Sequence, residues 1–388
     1  MTGERSPAPG RRRRAPRPAL DVALIAVGFA AALAIRSLFL FWMRDHNNLL
    51  SWRIVVGVLE GGADLYADTH HRYNYSPLWA GVLWLLSGAR RAGWTLNQAV
   101  AVFLVVVDAA TAALLARIVW RRTASRVRAL ASALLFFANP VSAIVSGSLG
   151  AFDNFAFFFV LLSVAFAEER PAARGKAIAA MSLSLLVKHV AFFHPLLLAR
   201  SREEPRVGPL GALVPYAVFL ASFLPFWASR AAIREHVFGY EGSGEPYGIE
   251  PLRFVSFLPP WTPRAVFVAA GIAAVVCLRR VAFGRACLLL TLVTLLFLPG
   301  VGPNYFVWPI ALGALEPGVG YAVYTAVVTL FLIHSPDAIG VEFSHLPGWS
   351  GPWWAIVFWV LWEIREEQRR RAVPATQSPA AAGESAAG

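Results

Sequence analysis

The stretch NQAVAVFLVVVDAATAALLARIVWRR, Asn97–Arg122, decides the fold. It is almost wholly apolar from 97 to 120 and stops on Trp120-Arg121-Arg122. A run of about 20 apolar residues that ends on an aromatic and a basic pair reads as a helix crossing a bilayer, with its basic end in the cytoplasm. Asp108 sits inside this span. An acid at that depth faces the interior of a helix bundle and needs a partner, as a structural hydrogen bond or as part of a proton relay.

The rest of the chain repeats the pattern. Of 388 residues 57% are hydrophobic and only 15% charged, with a mean hydropathy of +0.56. No water-soluble domain of this length carries that surface, so the expectation is an all-α, polytopic transmembrane bundle. The apolar runs do not alternate as barrel strands would. The net charge of +12 does not point to nucleic acid. Its arginines gather at Arg11 to Arg14, Arg121 to Arg128, Arg279-Arg280 and Arg369 to Arg371, each flanking an apolar run, and a basic soluble face is missing. Cys277 and Cys287 bracket a basic turn and read as reduced thiols, with no disulfide or metal framework.

Residues 1–17, rich in Arg and Pro, are expected to be a disordered cytoplasmic tail, residues 18–366 the membrane domain, and residues 367–388 a basic and then disordered cytoplasmic tail. With basic flanks inside, a first span near 19–43 leads to an outer loop at 44–76. A short interfacial or re-entrant helix follows at Pro77 to Leu86, then the span at 97–120. Residues 127–147 lead out to the turn Gly150-Ala151-Phe152-Asp153-Asn154, and 155–167 return to Glu168-Glu169-Arg170. The run 176–199 is interrupted at Lys188-His189 and at His194-Pro195, which predicts a broken, partly re-entrant pair. A span near 209–227 leads to a second outer loop at 228–263, and further spans follow near 265–278, 284–299, 305–316, 319–334 and 351–364. The total is about 10–12 spans, with Asp45, Asp153 and Gly302-Pro303-Asn304-Tyr305 on one outer face.

A carboxylate that removes a proton from a hydroxyl wants a partly dry place near the membrane surface, and Asp45 is so placed; its bland alternative is a solvated residue at a span end. Arg36 lies on the first span, but no pairing with Asp45 is assumed. Lys188 and His189 suit a lipid phosphate, with snorkelling as the alternative. Arg253 suits one too, in competition with pairing to Glu250. Tyr73 and Tyr75 could stack on a sugar or form part of an interfacial aromatic belt. There is no Walker loop, dinucleotide fingerprint or HExxH motif.

Arg36 and Asp45, Gly61-Gly62-Ala63-Asp64-Leu65-Tyr66, Arg72-Tyr73-Asn74-Tyr75-Ser76-Pro77-Leu78, Gly150 to Asn154, Leu186-Val187-Lys188-His189 with Pro195, and Gly302 to Trp308 follow one another in an order that resembles the GT-C superfamily of polyprenyl-phosphate-sugar-dependent glycosyltransferases. Family 87 and the GPI mannosyltransferase I catalytic subunit are the nearest in pattern. The resemblance implies a GT-C-like fold and inverting transfer of one sugar, mannose by analogy, from a polyprenyl-phosphate carrier to a glycan or glycolipid acceptor, at the extracytoplasmic face of the plasma membrane. It implies Asp45 as the general base, Asp153 as the matching catalytic carboxylate of the second outer loop, and Lys188 and His189 at the donor phosphate. Arg253 is expected to join that phosphate set on the chemistry of its guanidinium, and Arg72, Tyr73, Tyr75, Asn154 and Tyr305 to lie around the substrate. Where the GPI enzyme's loop has acid, one residue, acid, this chain has Asn47 in the second place. That weakens a metal bridge and favours a metal-independent mechanism, with a divalent metal left open as the alternative; no other cofactor is expected, because the lipid-linked donor arrives activated. A transporter or flippase of a lipid-linked substrate is the alternative, and a structural partner in an envelope assembly is a third.

Overall fold

The computed structural model describes residues 18–42, 47–169, 173–199, 207–240, 259, 261–335, 339 and 351–372. Asp45, Arg253, Glu250 and both chain ends (1–17 and 373–388) lie outside them. The described residues form helices and no strand. In chain order these are α1 (Pro18–Trp42), α2 (Asn47–Glu60), α3 (Pro77–Ser87), α4 (Leu96–Thr123), α5 (Arg126–Phe137), α6 (Pro140–Ala143), α7 (Asp153–Ala167) and α8 (Arg174–Val187). They continue with α9 (His194–Leu198), α10 (Pro209–Ala221), α11 (Arg230–Ile233), α12 (Thr262–Leu278), α13 (Phe283–Phe297), α14 (Trp308–Gly313), α15 (Val319–His334) and α16 (Gly351–Ala372). The chain is an all-α, integral membrane protein.

The expected spans are not all single straight helices. Among the described residues α4 is the helix long and apolar enough to cross a bilayer alone. Two bent pairs have the length and apolarity only when taken together, as a broken span or a re-entrant loop: α5 with residues 140–148 at 46°, and α10 with residues 224–238 at 61°. Residues 25–38 of α1, together with α7, α12, α13 and α15, are shorter apolar helices. Local chemistry explains several boundaries. Thr95 and Gln98 close a capping box at the start of α4. Ser125 caps α5, and Asn139 caps α6 ahead of Pro140. α8 stops at Lys188, whose backbone is extended, as the interrupted run at 188–189 predicts.

Two readings change. Residues 44–76 are not all loop, because 47–60 are the helix α2. Leu49, Trp52, Val55 and Val56 bury one face at spacings of three and four, a period hidden by the polar start Asn47-Asn48. At the other end α16 continues through the basic run to Ala372, beyond the expected boundary at 366.

Charge pairing sorts the helix ends. At one end of the bundle Arg122 pairs with Glu168, Arg121 with Glu169 at 3.1 Å, and Arg285 with Glu363 at 2.8 Å and Glu367 at 3.1 Å. The sequence places the turns at 121–122, 168–170, 279–280 and 369–371 on a common side, and these pairs agree with that. Asp153 begins α7 at the opposite end from Glu168.

Glycine lets the last two helices approach. A Cβ on Gly320 would stand 2.2 Å from Cδ1 of the buried Trp359, and one on Gly313 2.5 Å from the same indole. Small residues at a helix contact are how membrane bundles pack closely. Gly320→Ala is expected to lower stability by about 1–3 kcal/mol, as overpacking does. Thermal unfolding in detergent checks it, with Gly57→Ala as the control, since a Cβ at Gly57 meets nothing within 4 Å.

Candidate functional site

Two buried ion pairs meet at the turn 150–154. Gly150 turns the chain with φ +57°, a conformation that a side chain disfavours, and the next residues enter α7. Asp153 and Asn154 are consecutive, yet their side chains go to different networks.

Asp153 is fully buried and accepts four hydrogen bonds. Lys188 Nζ donates to both carboxylate oxygens at 2.8 Å, Trp308 Nε1 to Oδ1 at 2.7 Å and Asn304 Nδ2 to Oδ2 at 3.0 Å. Lys188 is itself only 3% exposed. Its ammonium lies over the rings of Tyr305 at 5.0 Å and of Tyr75 and Phe152 at 5.3 Å each. Cation–π attraction and the carboxylate together hold the charge out of water. Trp79 stacks on Phe152 at 4.1 Å, and Tyr305 on Trp308 at 4.7 Å.

Asn154 turns to the second pair, inside the bundle. Its Nδ2 donates to Asp108 Oδ1 at 2.7 Å, to Ser146 Oγ at 2.9 Å and to Ser142 Oγ at 3.0 Å. The partner that Asp108 requires is Arg36, which reaches it through Nη1. The same guanidinium donates from Nε to the Phe137 carbonyl at 2.8 Å and from Nη2 to Ser142 Oγ at 2.9 Å. Arg36 therefore belongs with Asp108 in a structural network, and its position on α1 alone did not reveal which acid it would meet.

The other expected site residues are placed as follows. Tyr75 and Tyr305 join Lys188 and Asp153 in one cluster. His189 follows Lys188 and packs its ring against Phe219 at 5.8 Å. Arg72 is exposed. Tyr73 is buried, and its hydroxyl donates to the Ser76 carbonyl and accepts from the Ala80 N–H at 2.9 Å, which fastens the start of α3. Sequence reasoning did not single out Trp308 and Asn304 individually as partners of Asp153; the only signal was that both lie in the quoted stretch Gly302 to Trp308.

The first-loop segment is tied to the same turn. Asn48 Nδ2 donates to the Leu149 carbonyl at 3.1 Å, and Trp52 Nε1 to the Gly150 carbonyl at 3.3 Å. The motif at 61–66 is a turn. Asp64 Oδ1 accepts from the backbone N–H of Tyr66 at 2.9 Å and of Ala67 at 2.8 Å, while Oδ2 accepts from Ser229. Partial burial pushes the Asp64 carboxyl up, but the Ser229 hydroxyl and the Ala67 and Tyr66 N–H groups outweigh it and hold the group below its ordinary 3.8. Among the described residues, the group able to hold a metal ion is His71, Glu235 and His236.

Residues 46–234, just under half of the chain, match the family model described as GPI transamidase subunit PIG-U. The matched stretch includes α2, the 150–154 turn and Lys188. The family named by this match is neither family 87 nor the mannosyltransferase I catalytic subunit, although it too is described in terms of GPI. No curated protein and no solved structure matches the chain.

Two outcomes follow from this geometry. Lys188→Met and Asp153→Asn are each expected to lose about 3–5 kcal/mol, because each strands a buried charge. The double variant should recover part of that loss, a coupling that a double-mutant cycle of thermal unfolding reads directly. The Asp64 anchor, with its depressed carboxyl, contributes fully above the unfolded value and is lost only as pH falls through the folded value. Hydrogen exchange at Tyr66 and Ala67 should thus stay slow from pH 5 to 8 in the wild type and be fast throughout in Asp64→Ala.

Proposed function

We propose that this protein is an inverting glycosyltransferase of the GT-C type that moves one sugar from a polyprenyl-phosphate carrier to a glycan or glycolipid acceptor at the extracytoplasmic face of the plasma membrane. One observation carries the reading. The helix that begins two residues after Asp45 is pinned by Asn48 and Trp52 to the 149–150 peptide, three residues before Asp153. That tie of Asn48 and Trp52 to the 149–150 carbonyls supports reading the first-loop acid together with the acid of the second turn.

The roles of the two acids differ in this reading. Asp153 already accepts bonds from Lys188, Trp308 and Asn304, so a proton from an acceptor hydroxyl would have to displace one of them. It acts as a positioning residue that sets the 150–154 turn. Asp45 is the general base: it takes the proton of the acceptor hydroxyl as that oxygen attacks the anomeric carbon, and the bond to the carrier phosphate breaks on the opposite face. His189 and Arg253 are assigned to the departing phosphate. Lys188 can share in that role only through its long-range field, since its ammonium is engaged with Asp153. Tyr75 and Tyr305 offer ring faces to the sugar. Arg72 and Asn154 complete the set, Arg72 from the exposed loop and Asn154 by bracing Asp108 behind the turn.

A second reading is favoured by the match to GPI transamidase subunit PIG-U and by the full occupancy of Asp153. In it the protein recognises a glycolipid and performs no chemistry of its own. Purified protein given polyprenyl-phosphate mannose and a glycolipid acceptor separates the two. Transfer that falls at least about 100-fold in Asp45→Asn, as loss of a general base does, with the melting curve unchanged, supports the transferase. Equal turnover by both proteins removes Asp45 from the mechanism. Glycolipid binding without turnover in the wild type establishes the second reading.

A further inference from the structure

His71, Glu235 and His236 come from two distant segments and meet at one place. Their ligand atoms all lie within 4.8 Å of one another, and the two imidazole ring centres are 3.9 Å apart. His71 lies in the loop between α2 and α3. Glu235 and His236 lie in a π-helical turn, 234–238, that follows α11. Neither the ion-pair cluster nor the proposed transfer uses them.

The backbone on both sides is unusual. His70 and His71 have φ of +47° and +65°, consecutive non-glycine residues in the left-handed region. That conformation is disfavoured for a residue with a side chain and persists where surrounding structure demands it. π-helical turns are rare and gather at functional sites. Side chains at i and i+1 of an α-helix do not face each other, yet here the neighbours Glu235 and His236 point to one spot.

The orientation of His236 is fixed as a metal ligand's would be. Its Nδ1 lies 3.1 Å from the Tyr66 carbonyl. A carbonyl can only accept, so Nδ1 carries the proton and Nε2 keeps its lone pair. An imidazole that donates one N–H to a backbone carbonyl while the other nitrogen binds metal is the common second-shell arrangement. His71 and Glu235 are exposed and reachable by an ion from solvent, whereas His236 is buried and anchored.

We propose that His71, Glu235 and His236 bind one divalent transition-metal ion of the zinc type, clipping the 61–76 loop to the 234–238 turn. Two imidazoles and a carboxylate are a borderline-soft set suited to zinc and unlike the all-oxygen sets of calcium or magnesium. Three protein ligands leave a fourth position for water or for an anionic oxygen. Ligands around tetrahedral zinc stand about 3.3 Å apart, from metal–ligand lengths of about 2.0–2.1 Å, so side-chain rotation closes the set. The clip would hold Tyr66, and through its ring contacts with Tyr73 at 5.8 Å and of Tyr73 with Tyr75 at 5.7 Å, the aromatic wall beside Lys188.

The test uses the full chain, purified in detergent with an affinity tag that contains no histidine. It is stripped with a chelator, reloaded with zinc chloride and desalted, and metal is counted by mass spectrometry. One equivalent of zinc is expected on the wild type, with affinity weakened by about 100-fold or more in His71→Ala and in Glu235→Ala, a loss at the upper end of that seen even for outer-shell partners. Both positions are exposed, so these variants should fold, and a matching melting curve verifies it. Cobalt(II) substitution gives an independent reading through the intense visible absorption of a four-coordinate site. Wild-type protein that holds no more zinc than His71→Ala overturns the proposal, as does zinc held equally by all three proteins. Neither result depends on sugar transfer.

Discussion

The ion pair between Lys188 and Asp153 is the constraint around which the candidate site is organised. It joins three places remote in sequence: the entry to α7, the break after α8, and the segment where the turn carrying Asn304 leads into α14 at Trp308. Each side chain would be intolerable alone at this depth. A carboxylate with four acceptor bonds and an ammonium ringed by Tyr75, Phe152 and Tyr305 are mutually sufficient. The aromatic residues around them are therefore held in place as part of the charge's environment.

Breaks in the helices make this possible. An unbroken α8 would carry Lys188 round with its turn, whereas the extended backbone at Lys188 aims the side chain across to Asp153. The π-turn at 144–148 and Gly150 do the same from the other side, and put Asp153 and Asn154 into separate networks. Irregular backbone in a membrane protein is tolerated where it is buried in protein or lines a cavity. Here, at 144–154 and at Lys188, it is buried, and Ser146, Asp153, Asn154 and Lys188 all have hydrogen-bond partners.

The sequence made some of this legible and hid the rest for identifiable reasons. Hydropathy and arginine flanks gave the helical class and the grouping of helix ends, because a bilayer imposes both along the chain. The interruption at Lys188-His189 was visible for the same reason: charge is rare in an apolar run. Asp108 was expected to have a partner, but Arg36 could be paired with it only by packing that a linear pattern does not encode. Tyr73 shows the opposite case. Its place in an aromatic motif suggested contact with a ligand, while its hydroxyl is spent on the start of α3. The helix α2 was missed because two asparagines mask its period. The meeting of His71 with His236 spans 165 positions of chain, a distance over which no local spacing carries information.

The pairing of Arg36 with Asp108 also bears on how the chain is made. α1 leaves the ribosome before α4, with a guanidinium that ends up 2% exposed against α4 and the 137–142 segment. Until residue 108 is synthesised that charge lacks its carboxylate, and an arginine in a lone membrane helix is costly, by up to about 2.5–3.5 kcal/mol at a helix centre and less toward an end, where Arg36 stands in α1. α1 is then a reluctant anchor by itself, held at the insertion machinery until α4 arrives to neutralise it. Biogenesis from α1 to α4 becomes a single cooperative event, and nascent chains that have not yet released α4 should be extracted from the bilayer far more readily than those that have.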